Sequence, residues 1–559
     1  MKILIIGGYG VFGGRLAHLL APDTRLALVI AGRSLDKAQH FCATLPAGAA
    51  REARALDRAS DIESALRAIA PDLVVEATGP YQVYGDSPYR VIEAAIACGI
   101  NYLDLADCAE FVEGVRQFDA AATARSVYVL SGVSSFPVLT AAVVRRLAVG
   151  LLRVDRIRGG IAPSPYAGVG QNVIRAIASY AGTRIALTRD GAPATGVALV
   201  EAWHYTIAPP GHVPLRRLRF SLVDVPDLTL LPLVWPGLRS IWMGAAPVPA
   251  VWHRMLSALA WLRARHLCPD LTFLAPLFFW AINHLRWGEH RGGMFVEIEA
   301  VDADGKNYTR AWHLLAEGRD GPLIPSMACQ AVVARVLAGV PPVPGARPAT
   351  AELELADYEK LFSTKTIFTG VRESVAAPDT RPLYARVLDS AWEKLPATVR
   401  ALHAHQGKWR AKGEASVERG AGFLAGIVAR AVGFPKAGSA IPVEVRFESN
   451  ADGEWWQRNF DGKLFKSYQA EGRDDNERLL TERFGPFTFG LALVLKNEAL
   501  HLVVRSWNFL GVPLPNALVP TGNTYEYERD GRFHFHVEIA HPWLGLIVRY
   551  RGWLVEDAM

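Results

Sequence analysis

The sequence predicts an α/β chain: a doubly wound parallel sheet with an inserted α/β second domain, followed by a C-terminal α+β domain with a curved antiparallel sheet. Three observations lead there. An apolar run, Ile3 to Ile6, breaks into glycines and then into a helical pattern. Strand-like and helix-like segments then alternate to about residue 147, the pattern of a parallel sheet. Beyond residue 382 short alternating strands follow one another between turn residues.

Gly8, Gly10 and Gly13 in Gly8-Tyr9-Gly10-Val11-Phe12-Gly13 fit a G-x-G-x-x-G turn between strand and helix. The first glycine allows the tight turn, the second lets backbone approach a pyrophosphate, and the third lets helix and strand pack closely. N–H groups at the start of the helix, read as Arg15 to Leu20, would face the phosphates. With a second strand at Leu26 to Ala31, this is a Rossmann-type βαβ unit for a dinucleotide.

Size and charge limit the alternatives. A chain of 559 residues is expected to form about three to four domains. A net charge of +5 with interspersed signs does not suggest nucleic-acid binding. Five scattered cysteines without a C-x-x-C pair fit a reducing cytoplasm better than a disulfide framework, and no metal site is predicted. The N-terminal apolar run ends in glycines the fold needs, so it does not read as a signal peptide. No apolar stretch reaches transmembrane length.

Strand two ends in Ala31-Gly32-Arg33-Ser34, twenty residues past Gly13, where a carboxylate would hold the ribose 2′-hydroxyl of NAD. Arg33 and Ser34 instead suit a 2′-phosphate, so NADP is expected over NAD. Asp57, after a short third strand at Ala53 to Leu56, reads either as an adenine-edge contact or as a helix N-cap. A fourth strand, Asp72 to Ala77, leaves through Thr78-Gly79-Pro80-Tyr81 on the carboxyl edge, where open α/β sheets bind ligands. A helix, the segment Asn101 to Asp107, another helix and the strand Ser126 to Leu130 complete the alternation, ending in Ser131-Gly132-Val133-Ser134-Ser135-Phe136-Pro137.

The glycine turn, Ala-Gly-Arg-Ser, Ala-Thr-Gly-Pro-Tyr, Tyr-Leu-Asp-Leu-Ala-Asp and Gly-Val-Ser-Ser-Phe-Pro, in this order and spacing, resemble the saccharopine dehydrogenase-like NADP-binding family over about residues 1 to 145. That family includes saccharopine reductases and trans-acting enoyl reductases. Asp320 to Met327 before an Ala/Val-rich helix is similar to the family's return from its second domain. The resemblance implies a mixed α/β domain that closes the cofactor cleft and often dimerises, and it places Gly79, Pro80, Ser134 and Ser135 near the nicotinamide.

The expected division is therefore 1–150 for nucleotide binding and 151–345 for a substrate or dimerisation domain with an apolar insertion at 230–287 and a return helix at 325–338. Residues 346–381 form a linker, and 382–559 a C-terminal domain of unknown function. The insertion carries six tryptophans with arginines between them. It reads as a plain core insertion, a buried lid over an apolar substrate, or an interfacial helix making peripheral membrane contact. The C-terminal strands, from Ile441 to Trp553, form a curved sheet or open barrel and resemble an uncharacterised bacterial domain found fused to such reductases. His534 and His536 share a strand face but lack the partners of a recognised metal site.

Hydride transfer needs an oriented nicotinamide and a proton partner. Tyr81 or Asp107 on the carboxyl edge is chosen for that role, with Tyr84, Asp104 and Ser134 nearby in sequence order. The leading reading is an NADP-dependent oxidoreductase of an apolar or lipid-like small molecule. The rival is a non-catalytic nucleotide- and ligand-binding sensor or carrier. An amino-acid-condensing saccharopine-type enzyme would need converging arginines that the sequence does not display.

Overall fold

The computed structural model describes residues 1–247, 249–375 and 379–557, with only the backbone described at 431 and 516. The chain divides into two compact units: Met1–His204 with Leu218–Phe368, and Tyr205–Arg217 with Thr369–Met559.

The first unit opens with β1 (Lys2–Ile6), α1 (Val11–Leu20), β2 (Ala27–Gly32), α2 (Leu35–Thr44), β3 (Ala50–Ala55) and α3 (Ile62–Ile69). It continues through β4 (Leu73–Glu76), α4 (Arg90–Cys98), β5 (Asn101–Asp104), α5 (Ala109–Gly114), α6 (Asp119–Ala124), β6 (Tyr128–Ser131) and α7 (Thr140–Leu147). The strands pair in parallel in the order β6-β5-β4-β1-β2-β3. Ile3, Leu4 and Ile5 are fully buried, as expected of a parallel strand covered on both faces. The order reverses between β1 and β4, which opens the crevice where such sheets bind ligands.

The next elements are β7 (Arg153–Ala162), α8 (Gln171–Tyr180), β8 (Arg184–Arg189), β9 (Ala192–Val197), β10 (Ala202–Ile207) and β11 (Leu215–Leu222). After them come α9 (Asp227–Val234), β12 (Ser240–Ala245), α10 (Ala250–Ala264), α11 (Ala275–His284), β13 (Arg291–Val301), β14 (Asn307–Glu317) and α12 (Ile324–Leu337). Within the stretch 230–287, α9 ends at Val234 and β12 is a strand paired in parallel with β7, so the helical insertion proper begins at Ala250. Ile241-Trp242-Met243 is apolar throughout, and such a run does not distinguish strand from helix. Nor is the helical part a plain core insertion. Trp261, Trp280 and Trp287 remain about half exposed, with relative accessibilities of 45%, 50% and 48%.

The linker predicted at 346–381 is largely structured. After β15 (Gly345–Pro348), which joins the parallel sheet beside β6, come α13 (Leu355–Phe362) and the strand β16 (Ile367–Val375). Prolines and glycines suggested a tether, yet such residues are tolerated at a sheet edge. Residues 376–378 of that stretch lie outside the described residues.

The second unit contains α14 (Leu383–Leu388), α15 (Ala397–His403), β17 (Lys408–Arg419), α16 (Phe423–Ala431), β18 (Gly438–Ser449), β19 (Gly453–Phe460) and β20 (Lys463–Glu471). It ends with β21 (Leu480–Phe484), β22 (Phe487–Lys496), β23 (Ala499–Phe509), β24 (Val512–Pro513), β25 (Tyr525–Arg529), β26 (Arg532–His541) and β27 (Gly545–Glu556). The predicted curved sheet closes completely. Apart from the short β24, each strand pairs antiparallel with the next in sequence, and β27 pairs back onto β17. Closure removes the exposed edges that an open sheet must protect. The sequence reading missed β17, whose inward residues Ala411, Ala415 and Val417 are small and whose other face is charged.

The barrel belongs to one packed core. Leu383, Tyr384, Leu388, Val399 and Leu402 of the two preceding helices cluster with Val443, Phe447, Trp456, Phe533 and Tyr550 of the strands. Two polar side chains in this core are paired through one atom each. The Tyr384 hydroxyl donates to Gln469 Oε1 at 3.0 Å, and His403 Nε2 lies 2.6 Å from Glu526 Oε2. His534 and His536 pack against Tyr527 and Tyr525, at ring-centroid separations of 5.3 and 4.9 Å.

Candidate functional site

The glycine turn forms as its spacing requires. The N–H groups of Gly7 and Gly8 donate to the Ala31 carbonyl at 2.8 and 3.0 Å, which ties the turn to the end of β2. A Cβ on Gly13 would lie 2.3 Å from the Gly7 carbonyl oxygen and 3.0 Å from Gly8 Cα, so only glycine lets α1 sit this close to the turn. Helix α1 begins at Val11, a turn earlier than the reading from Arg15, with Gly10 as N-cap, no side-chain cap and no acidic residue in its first turn. The unsatisfied N–H groups of Val11, Phe12 and Gly13, together with the helix dipole, suit an anion. This is the fit expected for a dinucleotide pyrophosphate.

Tyr9 links this turn to the end of β2. Its hydroxyl accepts from Ser34 N at 3.0 Å, and its ring lies where a Cβ on Gly32 would be. Ser34 Oγ accepts from Lys37 N at 3.3 Å, capping α2 and leaving its hydrogen to donate. Arg33 is exposed and forms no ion pair among the described residues. Asp57 is exposed and accepts from Ala59 N at 3.0 Å in a local turn. The cap of α3 is Asp61, which accepts from Ser64 N, so the N-cap reading of Asp57 is corrected.

The exit of β4 is held by a buried carboxylate. Glu76 accepts from Arg58 at 3.0 Å, Thr78 Oγ1 at 2.9 Å and Tyr102 OH at 2.9 Å. Thr78 Oγ1 is 2.5 Å from Tyr84 OH, so both side chains are part of this network. Gly79 offers its carbonyl to Asn172 Nδ2 of α8 at 2.7 Å, and Pro80 leads into the turn that carries Tyr81.

Tyr81 is not presented to a substrate. Its hydroxyl donates to the Glu76 carbonyl at 2.7 Å, its ring packs on Tyr84 and Phe111, and burial raises its pKa far above the usual phenol range. The choice of Tyr81 as proton partner is corrected on that ground, because a buried phenol bonded to backbone has no proton to offer the cleft.

Asp107 has the opposite setting. It is exposed at the carboxyl edge, and its pKa is raised, chiefly by desolvation. Gln82 Nε2 donates to Asp107 Oδ1 at 3.2 Å, which opposes that rise. Asp224, between β11 and α9, is raised by burial and then by the charge of Asp107. Tyr180, at the end of α8, is raised by burial and by both carboxylates. These three groups are near enough for the carboxylate charges to be felt at Tyr180. Asp224 and Tyr180 escaped the sequence reading because no motif marks them and they come from different elements of the second sheet's domain.

Asp104 is a structural carboxyl. It is fully buried, and its Oδ1 accepts from Ala106 N at 3.0 Å and Gly132 N at 2.7 Å, joining the ends of β5 and β6. Ser134, half buried at the exit of β6, follows this junction, with its N–H on the Gly132 carbonyl at 2.8 Å. Burial pushes the Asp104 pKa up to about 7. A pKa raised in the folded state means that the folded chain binds the extra proton. The stability contribution is therefore complete below the ordinary aspartate value and is lost as pH rises towards about 7. Asp104→Asn is expected to flatten this decline. Melting temperatures of both proteins between about pH 5 and about pH 8 report it, and an unchanged slope would count against the assignment.

The cleft has a cover. The segment 162–170 crosses the start of α1, where Arg15 donates to the carbonyls of Ala167 and Gly168 at 2.9 and 3.1 Å. From the other side Ser326 Oγ of α12 donates to the Phe12 carbonyl at 3.1 Å. These contacts place the glycine turn at the floor of a partly closed crevice between the parallel sheet and α8.

Residues 3–131 match the saccharopine dehydrogenase NADP binding domain family, and residues 395–554 match a domain of unknown function, DUF4166. Among solved structures the chain is similar to an apo histidine-tagged saccharopine dehydrogenase (L-Glu forming) from Saccharomyces cerevisiae, with 15% identity, 67% of this chain and 100% of that chain covered, and a TM-score of 0.48. It is also similar to GenD2 from gentamicin A biosynthesis in complex with NAD, with 16% identity, coverages of 67% and 96%, and a TM-score of 0.32. A myo-inositol dehydrogenase from Corynebacterium glutamicum shows 12% identity, coverages of 68% and 99%, and a TM-score of 0.32. No curated protein matches the sequence.

Proposed function

We propose, for a chain whose residues 3–131 belong to the saccharopine dehydrogenase NADP-binding family and whose residues 395–554 form a DUF4166 domain, an NADP-dependent oxidoreductase acting on an apolar substrate. The observation that carries this reading is the uncapped start of α1 at the β1–β4 crevice, joined through Tyr9 to an unpaired Arg33.

The N–H groups of Val11 to Gly13 would hold the pyrophosphate, and Arg33 with Ser34 the 2′-phosphate. The bound cofactor supplies a hydride. Asp107 takes the role of proton partner. Its raised pKa keeps a proton available closer to neutral pH than an ordinary aspartate could. Gln82 orients the Asp107 carboxyl. Exposed Val83, next to Gln82, and the apolar helices packed behind α8 support an apolar substrate.

Titration of the full chain with NADPH, followed by nucleotide fluorescence or calorimetry, tests the cofactor assignment. Saturable binding is expected, and its absence would overturn the proposal. Arg33→Ala is expected to weaken NADPH by about tenfold or more, the scale of a lost charged hydrogen bond, while NADH changes little. Equal losses for both nucleotides would place Arg33 away from the 2′-phosphate. Substrate screening by NADPH oxidation then separates enzyme from sensor: tight binding with no turnover of any apolar carbonyl or alkene favours the non-catalytic reading.

A further inference from the structure

The helices α10 and α11 form an antiparallel hairpin. Arg263 and Asp270 pair at 3.2 Å near its turn, and Trp252 and Trp287 approach to 6.0 Å at its open end. One side of the hairpin packs on α8. Phe278 and Ala275 cluster with Ile174, and Arg263 donates to the carbonyls of Ala178, Ser179 and Ala181, capping the end of α8. The opposite side is open. Val251, Met255 and Trp261 recur at helical spacing on α10, as do Phe273, Leu277 and Trp280 along α11 and the turn before it, all between 40% and 63% exposed.

The charges on this surface have one sign. From Ala250 to Trp287 the only acidic residue is Asp270, already paired with Arg263. Arg254, Arg265 and Arg286 form no ion pair among the described residues, and Arg265 lies over the Trp261 ring at 5.3 Å. Half-exposed tryptophans flanked by unpaired arginines are the composition of a helix lying in a membrane interface, with rings at the acyl boundary and guanidinium groups among phosphates. No described helix is long and apolar enough to cross a membrane, so the hairpin would lie in the surface.

We propose that the α10–α11 hairpin docks the protein on an anionic lipid surface. Docking would involve the hairpin alone and does not require oxidoreductase activity. Its consequence for that activity is geometric. Asn283 Nδ2 of α11 donates to the Val169 carbonyl at 3.3 Å, in the segment that covers the start of α1. A docked hairpin would therefore bring the rim of the cleft to the membrane, where an apolar substrate could enter without crossing water.

Flotation of the full chain with phosphatidylcholine vesicles, with and without about one third phosphatidylglycerol, tests the docking. Binding to the anionic vesicles, weakened by salt, is expected. The exposed substitutions Trp261→Ser and Trp280→Ser together should lower it by about tenfold or more, as should Arg254→Glu with Arg265→Glu. NADPH titration of the same variants reports folding and the cofactor site separately, and it should be unchanged. No flotation at low salt would overturn the proposal. So would full flotation of the double variants, or loss only when exposed Phe423 and Trp543 of the second unit are replaced. Self-association abolished by the tryptophan variants, without vesicle binding, would assign the surface to a second copy instead and equally overturn it.

Discussion

Gly13→Ala is expected to raise the NADPH dissociation constant by about tenfold or more, because it forces two rigid pieces of backbone apart. The added Cβ would lie 2.3 Å from the Gly7 carbonyl oxygen, and no side chain can move to relieve it. Overpacking of this kind costs about 1–3 kcal/mol, and the relief available is a shift of the α1 start away from the turn. That shift displaces the N–H groups that would meet the pyrophosphate. Gly14→Ala is the control. Its Cβ would meet Phe41 Cζ at 3.1 Å, the far end of a side chain that can rotate, so binding should change little. Calorimetric titration of the two variants checks the contrast, and equal affinities would falsify the role given to the turn.

The second large effect concerns the barrel. His403 is fully buried at its side chain and pairs with Glu526 at 2.6 Å, while its ring stacks on Tyr384 at a centroid separation of 3.7 Å. Glu526→Ala removes one partner and strands the other, and leaving a buried hydrogen-bonding group without its partner costs about 1–3 kcal/mol. The loss should appear as a lower melting temperature of the second unit in calorimetry, with NADPH affinity unchanged. Replacing both residues by apolar ones should recover part of the loss, since burying two polar groups is itself costly. A melting profile unaffected by Glu526→Ala would show that the pair carries no stability.

The parts of the site legible in sequence were those with a steric or electrostatic requirement at a fixed spacing. Gly8, Gly10 and Gly13 declare themselves because backbone must meet backbone, and Arg33 because a carboxylate is missing where one would be needed for NAD. Side-chain direction was not legible. Tyr81 sits on the correct edge, but Phe111 and Tyr84 give its ring an apolar seat and the Glu76 carbonyl takes its hydroxyl. Asp224 and Tyr180 join Asp107 only through tertiary folding, and no local pattern announces them. In the barrel, the hairpin strands carried bulky alternating residues between turn signals. The closing strand β17 packs Ala411 and Ala415 inward, which gave it little hydrophobic contrast and left closure unseen. The tryptophan-rich insertion was ambiguous for a related reason: composition does not reveal which side of a helix finds a partner, and here the sides facing α8 and β11 did.

A structure of the full chain with NADPH bound tests the central claim most directly. The account predicts the pyrophosphate on the N–H groups of Val11, Phe12 and Gly13, the 2′-phosphate at Arg33, and the nicotinamide beside Asp107 and Asp224. A nucleotide seated away from the α1 start, or a nicotinamide facing away from that carboxylate pair, would contradict it.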